Sequence, residues 1–276
     1  MEKISLKDKL KNIQGDIPID EGSLAKYVEL LEVQLRASLL FADKFKELPL
    51  EEILRGFKEG KPAFLSISLK VSEEDLLKSY GTITSFLREN LPETEEPIER
   101  IEASRRSGEI KLSELTDALM SGNEDRVHEA AEKIQVDPEM LEAILAWSIQ
   151  PVFEAFSHAL SSETDFSAWQ SGRCPVCGGP SRLEFIDTEG LSHLRCQFCG
   201  AEWSYPENKC PYCGNEEAET IIEIPVRGED KFRLMVCYKC GGYWKVVDER
   251  RVGTGVPRIL YDIWSFRLDL LASGRK

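Results

Sequence analysis

The sequence predicts an α+β multidomain protein: an all-helical N-terminal domain, two small β-ribbon modules in series, and a C-terminal closing helix. Three observations predict it. Residues 1–168 carry apolar side chains at helical spacing and contain no cysteine. From Trp169 onward the pattern changes to short alternating runs separated by Gly, Pro and Asn. All eight cysteines fall in that second part, in four Cys-x-x-Cys pairs. The expected boundaries are 1–168 for the helical domain, 169–206 for the first four-cysteine ribbon, and 207–276 for the second ribbon with its closing helix.

Within the helical part, Ser23 can cap a helix whose apolar residues include Leu24, Tyr27, Val28, Leu31, Leu35 and Leu39. Ser72-Glu73-Glu74-Asp75 resembles a capping box and places acid in a first turn. Asp137-Pro138 is a helix start, because proline at the first helical position gives up no internal hydrogen bond. Pro151 lies inside the run that follows and is expected to kink or divide it. Residues 91–97, Leu-Pro-Glu-Thr-Glu-Glu-Pro, read as a solvated connector.

In the second part, Leu183–Ile186 and Leu191–Leu194 flank Glu189-Gly190, a hairpin signal. Thr220–Val226 and Phe232–Val236 form a second pair around Gly228. Arg258 to Leu271 turns helical again after Pro257. A knuckle, a hairpin and a second knuckle thus occur twice, from Cys174 to Cys199 and from Cys210 to Cys240. Each unit is too short to bury a core alone, and a bound metal would supply the missing stability.

The cysteine pairs are Cys174/Cys177, Cys196/Cys199, Cys210/Cys213 and Cys237/Cys240. Gly follows every second cysteine, at 178, 200, 214 and 241, as a tight knuckle with positive φ requires. Two thiolates of one knuckle can occupy adjacent corners of a tetrahedron, and a second knuckle fills the other two. Sequential pairing of neighbouring knuckles is expected; the alternative is interleaved, with the first knuckle meeting the third. Four cysteines close such a site, so a structural role comes first. Two metal ions, iron or zinc, are implied, because ligand identity does not separate the two. The modules read as rubredoxin-like or zinc ribbons. Trp203, Tyr205, Tyr243 and Trp244 flank the knuckles and are expected to shield sulfur and fill small cores.

Composition narrows the function. The net charge is −14, and all of the excess lies before Gln170, since the remainder holds fifteen Lys and Arg against fifteen Asp and Glu. No basic footprint for a nucleic acid is present in either half. No apolar run approaches the roughly 20 residues that span a bilayer. The first nine residues mix charges of both signs without a signal core, so a reducing, cytoplasmic compartment is expected. His128, His158 and His193 are scattered. There is no phosphate loop, no Gly-x-Ser-x-Gly and no His-Glu-x-x-His, and no residue is assigned a catalytic role.

The stretch from Phe166 to Gly178, Phe-Ser-Ala-Trp-Gln-Ser-Gly-Arg-Cys-Pro-Val-Cys-Gly, resembles the entry to the metal module of the formate dehydrogenase accessory protein FdhE family. So does Gly190 to Trp203, and the third and fourth knuckles continue the likeness to Cys240-Gly241-Gly242-Tyr243. Ile149-Gln150-Pro151-Val152-Phe153-Glu154-Ala155-Phe156 is similar to the helix before that module, and Asp262 to Leu271 to the closing helix. The likeness is strong over the last half and loose over the first. It implies a cytoplasmic assembly factor needed for active formate dehydrogenase, which contacts the catalytic subunit before export. It also implies rubredoxin-like iron binding that requires the cysteines, and all eight carry over here. Two other readings stand beside it: an iron redox protein acting in cofactor or cluster insertion, and a zinc-ribbon nucleic-acid binder.

Overall fold

The computed structural model describes residues 5–274; Met1–Ile4, part of the segment read for a signal core, lie outside it. Among the described residues the helices are α1 Leu6–Leu10, α2 Glu21–Ser38, α3 Leu50–Lys58, α4 Ala63–Ser66, α5 Glu73–Asn90, α6 Glu95–Arg106, α7 Leu112–Met120, α8 Glu124–Lys133 and α9 Pro138–Ser161. The strands are β1 Leu183–Ile186, β2 Ser192–Arg195, β3 Glu202–Ser204, β4 Ile221–Ile224, β5 Phe232–Cys237 and β6 Tyr243–Asp248. Three short helices close the chain: α10 Glu249–Val252, α11 Tyr261–Trp264 and α12 Phe266–Ser273. The α+β order read from the sequence is therefore present: helices, a cysteine-bearing sheet, then helix. No helix among the described residues is long and apolar enough to cross a membrane.

The chain divides into two compact units. Among the described residues, one holds 29–47 and 69–156; the other holds 5–28, 48–68 and 157–274. The first is helical. Its core includes Phe41, Leu76, Ile83, Leu87, Ile98, Leu141, Ile144 and Phe156, all nearly sealed from solvent. Ser72 caps α5 as its sequence suggests, its hydroxyl accepting from the Asp75 amide at 3.2 Å. Asp137 caps α9, its carboxylate accepting from the Met140 amide at 3.0 Å.

Three local expectations are corrected. Pro151 does not divide α9, which continues through it. The proline cannot donate to the carbonyl of Trp147, four residues back. Gln34 does so instead, its Nε2 lying 3.4 Å from that oxygen and 3.0 Å from Gln150 Oε1. The second correction is at α2, which begins before Ser23: Asp20 is the cap, accepting from the Ser23 amide at 2.9 Å. The third is the 91–97 connector. It is a 3-10 turn, Pro92–Thr94, leading directly into α6, with Thr94 buried and its hydroxyl on the Leu91 carbonyl at 2.7 Å.

The second unit holds the sheet, in the order β3-β2-β1-β6-β5-β4. Both expected hairpins form: β1 with β2, Leu183 opposite Arg195, and β4 with β5, Ile221 opposite Cys237. Each ribbon gains a third antiparallel strand after its second knuckle, β3 and β6. The ribbons join through β1 and β6, which run parallel with Leu183 beside Lys245. One continuous sheet thus carries both knuckle pairs.

Candidate metal centres

Every knuckle is built the same way. The glycine after the second cysteine donates its amide to the first cysteine's carbonyl: Gly178 to Cys174 at 2.9 Å, Gly200 to Cys196 at 3.0 Å, Gly214 to Cys210 at 2.9 Å and Gly241 to Cys237 at 2.8 Å. All four glycines have φ between 70° and 73°, where a side chain is strained. The first cysteine's own amide reaches one residue further, to the carbonyls of Gly179, Ala201, Asn215 and Gly242 at 2.8–2.9 Å. This closed turn aims both sulfurs of a knuckle to one side. In the first knuckle the amides of Val176 and Cys177 also point at Cys174 Sγ, at 3.4 and 3.5 Å.

The sheet brings neighbouring knuckles together, so the pairing is sequential and not interleaved. Cys174, Cys177, Cys196 and Cys199 form one group; Cys210, Cys213, Cys237 and Cys240 form the other, with all sulfurs of a group within 4.8 Å of one another. Across the first group, Cys174–Cys199 is 3.4 Å and Cys177–Cys196 is 3.5 Å. Across the second, Cys210–Cys240 is 3.7 Å and Cys213–Cys237 is 3.8 Å. Four sulfurs tetrahedrally bound to one zinc-sized ion are about 3.8 Å apart, whereas disulfide sulfurs are roughly 2 Å apart. All eight are free thiols. The donor set therefore fits two four-thiolate metal ions. A bound ion would cross-link two knuckles and hold four thiolates deprotonated.

Electrostatics prepare one ligand in each group. Burial pushes the Cys174 and Cys199 thiols well above their usual range. Hydrogen bonds from Cys174, Cys177 and Cys199 hold Cys196 well below it. In the second group burial lifts Cys210 to about 12. Burial also acts on Cys237, but the amides of Cys240 and Lys239, together with hydrogen bonds from Cys210 and Cys213, bring the thiol down to about 7.

The flanking aromatic residues behave as their positions suggest. Trp203 and Trp244 are buried, with indole donors on the Ser171 carbonyl at 3.1 Å and on Glu184 at 2.8 Å. Trp244 shares a cluster with Cys210, Cys237, Ile221 and Met235. Tyr205 donates to the Cys210 carbonyl at 3.0 Å, and Tyr243 to Asp269 at 3.0 Å. None of the histidines joins a cysteine group: His193 stacks on Phe185 and meets Asp187 at 3.0 Å, His128 meets Glu142 at 2.8 Å, and His158 is exposed.

Two contributors carry no sequence signal. Asn215 points its Nδ2 at Cys237 Sγ, 3.6 Å away. The segment Pro62–Phe64 lies over the first knuckle. Its Ala63 and Phe64 amides donate to the Pro175 and Val176 carbonyls at 2.7 and 3.1 Å. Phe57, from the preceding helix, packs edge-on against Trp169 with ring centroids 5.4 Å apart.

No family model matches the chain. Among curated proteins, a relative named Protein FdhE homolog from Aquifex aeolicus (strain VF5) is 32% identical over 222 residues, 78% of this chain and 70% of that protein. The chain belongs to the FdhE family. An FdhE homolog from Shewanella baltica (strain OS195) is 26% identical over 239 residues, 82% of this chain and 71% of its own length. The crystal structure of the FdhE protein from Pseudomonas aeruginosa superposes with a TM-score of 0.60 at 20% identity, covering 98% of this chain and 90% of that one, so the FdhE fold is shared. The family likeness drawn from the four knuckles and their flanks is borne out.

Proposed function

We propose that this protein is a cytoplasmic accessory factor that binds the catalytic subunit of formate dehydrogenase and supports its assembly into active enzyme. Its membership of the FdhE family carries this reading. The site chemistry supports it. Eight cysteines are assigned as ligands of two ions, Cys174, Cys177, Cys196 and Cys199 to one and Cys210, Cys213, Cys237 and Cys240 to the other. Four thiolates complete a coordination sphere and leave no position for a substrate. The ions then fix the shape of a binding surface and the protein is not itself an enzyme. Co-purification of the tagged chain with the isolated catalytic subunit tests the reading. Retention of that subunit, lost when the knuckles are replaced by serine, is expected; no retention by the metal-loaded protein overturns it.

A second reading is a rubredoxin-like iron protein that passes an electron during cofactor or cluster insertion. It is favoured by the exposure of Cys213 and Cys240, which brings one centre to the surface. Anaerobically purified protein that is colourless and holds zinc alone would remove it.

A further inference from the structure

The two centres repeat one design but differ in cover. Every ligand of the first is buried, at 5% exposure or less. In the second, Cys210 and Cys237 are sealed while Cys213 and Cys240, the later cysteine of each knuckle, are exposed. The four equivalent glycines mark the cause, because each sits beside its knuckle's second cysteine. A methyl group added at Gly178 would meet Pro62 at 3.0 Å and Phe64 at 3.5 Å, and one at Gly200 would meet the Arg195 guanidinium at 3.5 Å. One at Gly214 would meet only Lys209, at 3.9 Å, and one at Gly241 would meet nothing within 4 Å. The cover of the first centre is fastened: the Ala63 and Phe64 amides hold the knuckle carbonyls, and the Arg195 guanidinium is tied to the Gly200 carbonyl at 2.9 Å and to Glu202 at 2.7 Å. At the fourth knuckle Tyr238 and Lys239 are exposed as well.

Thiolate-bound metal leaves a site by associative exchange. An incoming ligand must reach the ion before an outgoing one departs, so access controls the rate. From the unequal cover we infer that the second centre is an exchangeable metal site, loaded and unloaded by thiolate-bearing carriers through its Cys213–Cys240 edge, while the first releases its ion far more slowly. This rests on the assignment of two ions to the eight cysteines. In the exchange step the carrier thiolate forms a bond to the ion as the bond to Cys213 or Cys240 sulfur breaks. The freed thiolate takes a proton from water, and no oxidation state changes. Cys210 and Cys237, on the sealed side, hold the ion until the last transfer.

The test uses the full chain loaded with zinc, first shown by metal analysis to hold two ions. It is challenged with excess glutathione together with a colorimetric zinc chelator. One equivalent should appear at least about tenfold faster than the other, as expected where entry paths differ. Trapping with iodoacetamide after the fast phase should place label on Cys213 and Cys240, followed by mass spectrometry, with Cys174, Cys177, Cys196 and Cys199 unlabelled. The Phe64→Ala variant should accelerate the slow phase and leave the fast one unchanged. Equal release of both equivalents, or label on the first group after the fast phase, overturns the inference while leaving two bound ions in place. A chain that binds no zinc at all overturns the metal assignment and this inference together. The labelling map on the unaltered protein decides the matter even where Phe64→Ala fails to fold.

Discussion

Lys245 Nζ lies 2.6 Å from the Asp269 carboxylate, on a side chain only 1% exposed. The same ammonium reaches Asp262, 2.6 Å from its carboxylate and 2.8 Å from its carbonyl. Lysine is rarely buried unless paired. Here the pairing fastens the closing helices α11 and α12 to β6, one of the two strands that form the seam between the ribbons. Removing the lysine's partners should leave a sealed charge. Asp269→Ala is expected to lower unfolding stability by about 1–3 kcal/mol, because Asp262 remains, whereas the double change Asp262→Ala, Asp269→Ala should cost about 3–5 kcal/mol. Urea titration of metal-loaded protein measures both. Lys245→Met, which removes the charge itself, should be milder than the double variant.

Gln34 and Pro151 make a second testable pair. Gln34→Leu should cost about 1–3 kcal/mol, because the Trp147 carbonyl then loses the donor that replaces the missing proline amide. Pro151→Ala restores a backbone donor to that carbonyl. The Gln34→Leu penalty should therefore shrink in a Pro151→Ala background. An unchanged penalty in a double-mutant cycle would show that Gln34 acts through Gln150 alone.

Glu184 gives a pH dependence. It is buried on β1, and burial holds its carboxyl above the ordinary glutamate range despite donors from Ser192 and Trp244, each at 2.8 Å. A raised folded value means that the folded state favours the proton. Its contribution is full below 4.5 and is lost as pH rises through the folded value. Glu184→Gln removes the charge and keeps one acceptor oxygen for the Trp244 indole, while its NH2 can donate to the Ser192 hydroxyl. The variant should thus gain stability over wild type as pH rises from acid to neutral, and the two should converge below the unfolded value. Denaturation curves across that range check the crossover.

Positive-φ glycines allow a paired comparison. Gly178→Ala and Gly241→Ala both force a side chain into left-handed backbone, which costs roughly 1–2 kcal/mol. Only Gly178 also meets a neighbour, Pro62 at 3.0 Å, so its variant should be the less stable of the two. Thermal unfolding of the two loaded variants side by side reads the difference.

The cysteine architecture was legible because its signal is local. A knuckle needs two sulfurs three apart and a glycine next, and hairpin turns between knuckles bring the pairs back. Both hairpins and the sequential grouping follow from that. The parallel joint of β1 and β6 was not legible, since neither strand carries a mark naming a distant neighbour. The cover of the first centre by residues 62–64 escaped for the same reason: Pro-Ala-Phe reads as an ordinary helix start, and its two amide bonds go to carbonyls far along the chain. Pro151 does not end α9: proline removes a donor, and only tertiary structure shows that Gln34 supplies another. Asp20 was passed over for Ser23 because either can cap a helix and the sequence does not rank them.

The seam between the ribbons has a mechanical consequence. β1 descends from the knuckle that begins the first repeat, and β6 from the knuckle that ends the second. A protease nick in the Pro206–Lys209 link would therefore free neither half: the outermost members of the duplicated pattern stay zipped to each other, and the severed pieces should travel together through a sizing column.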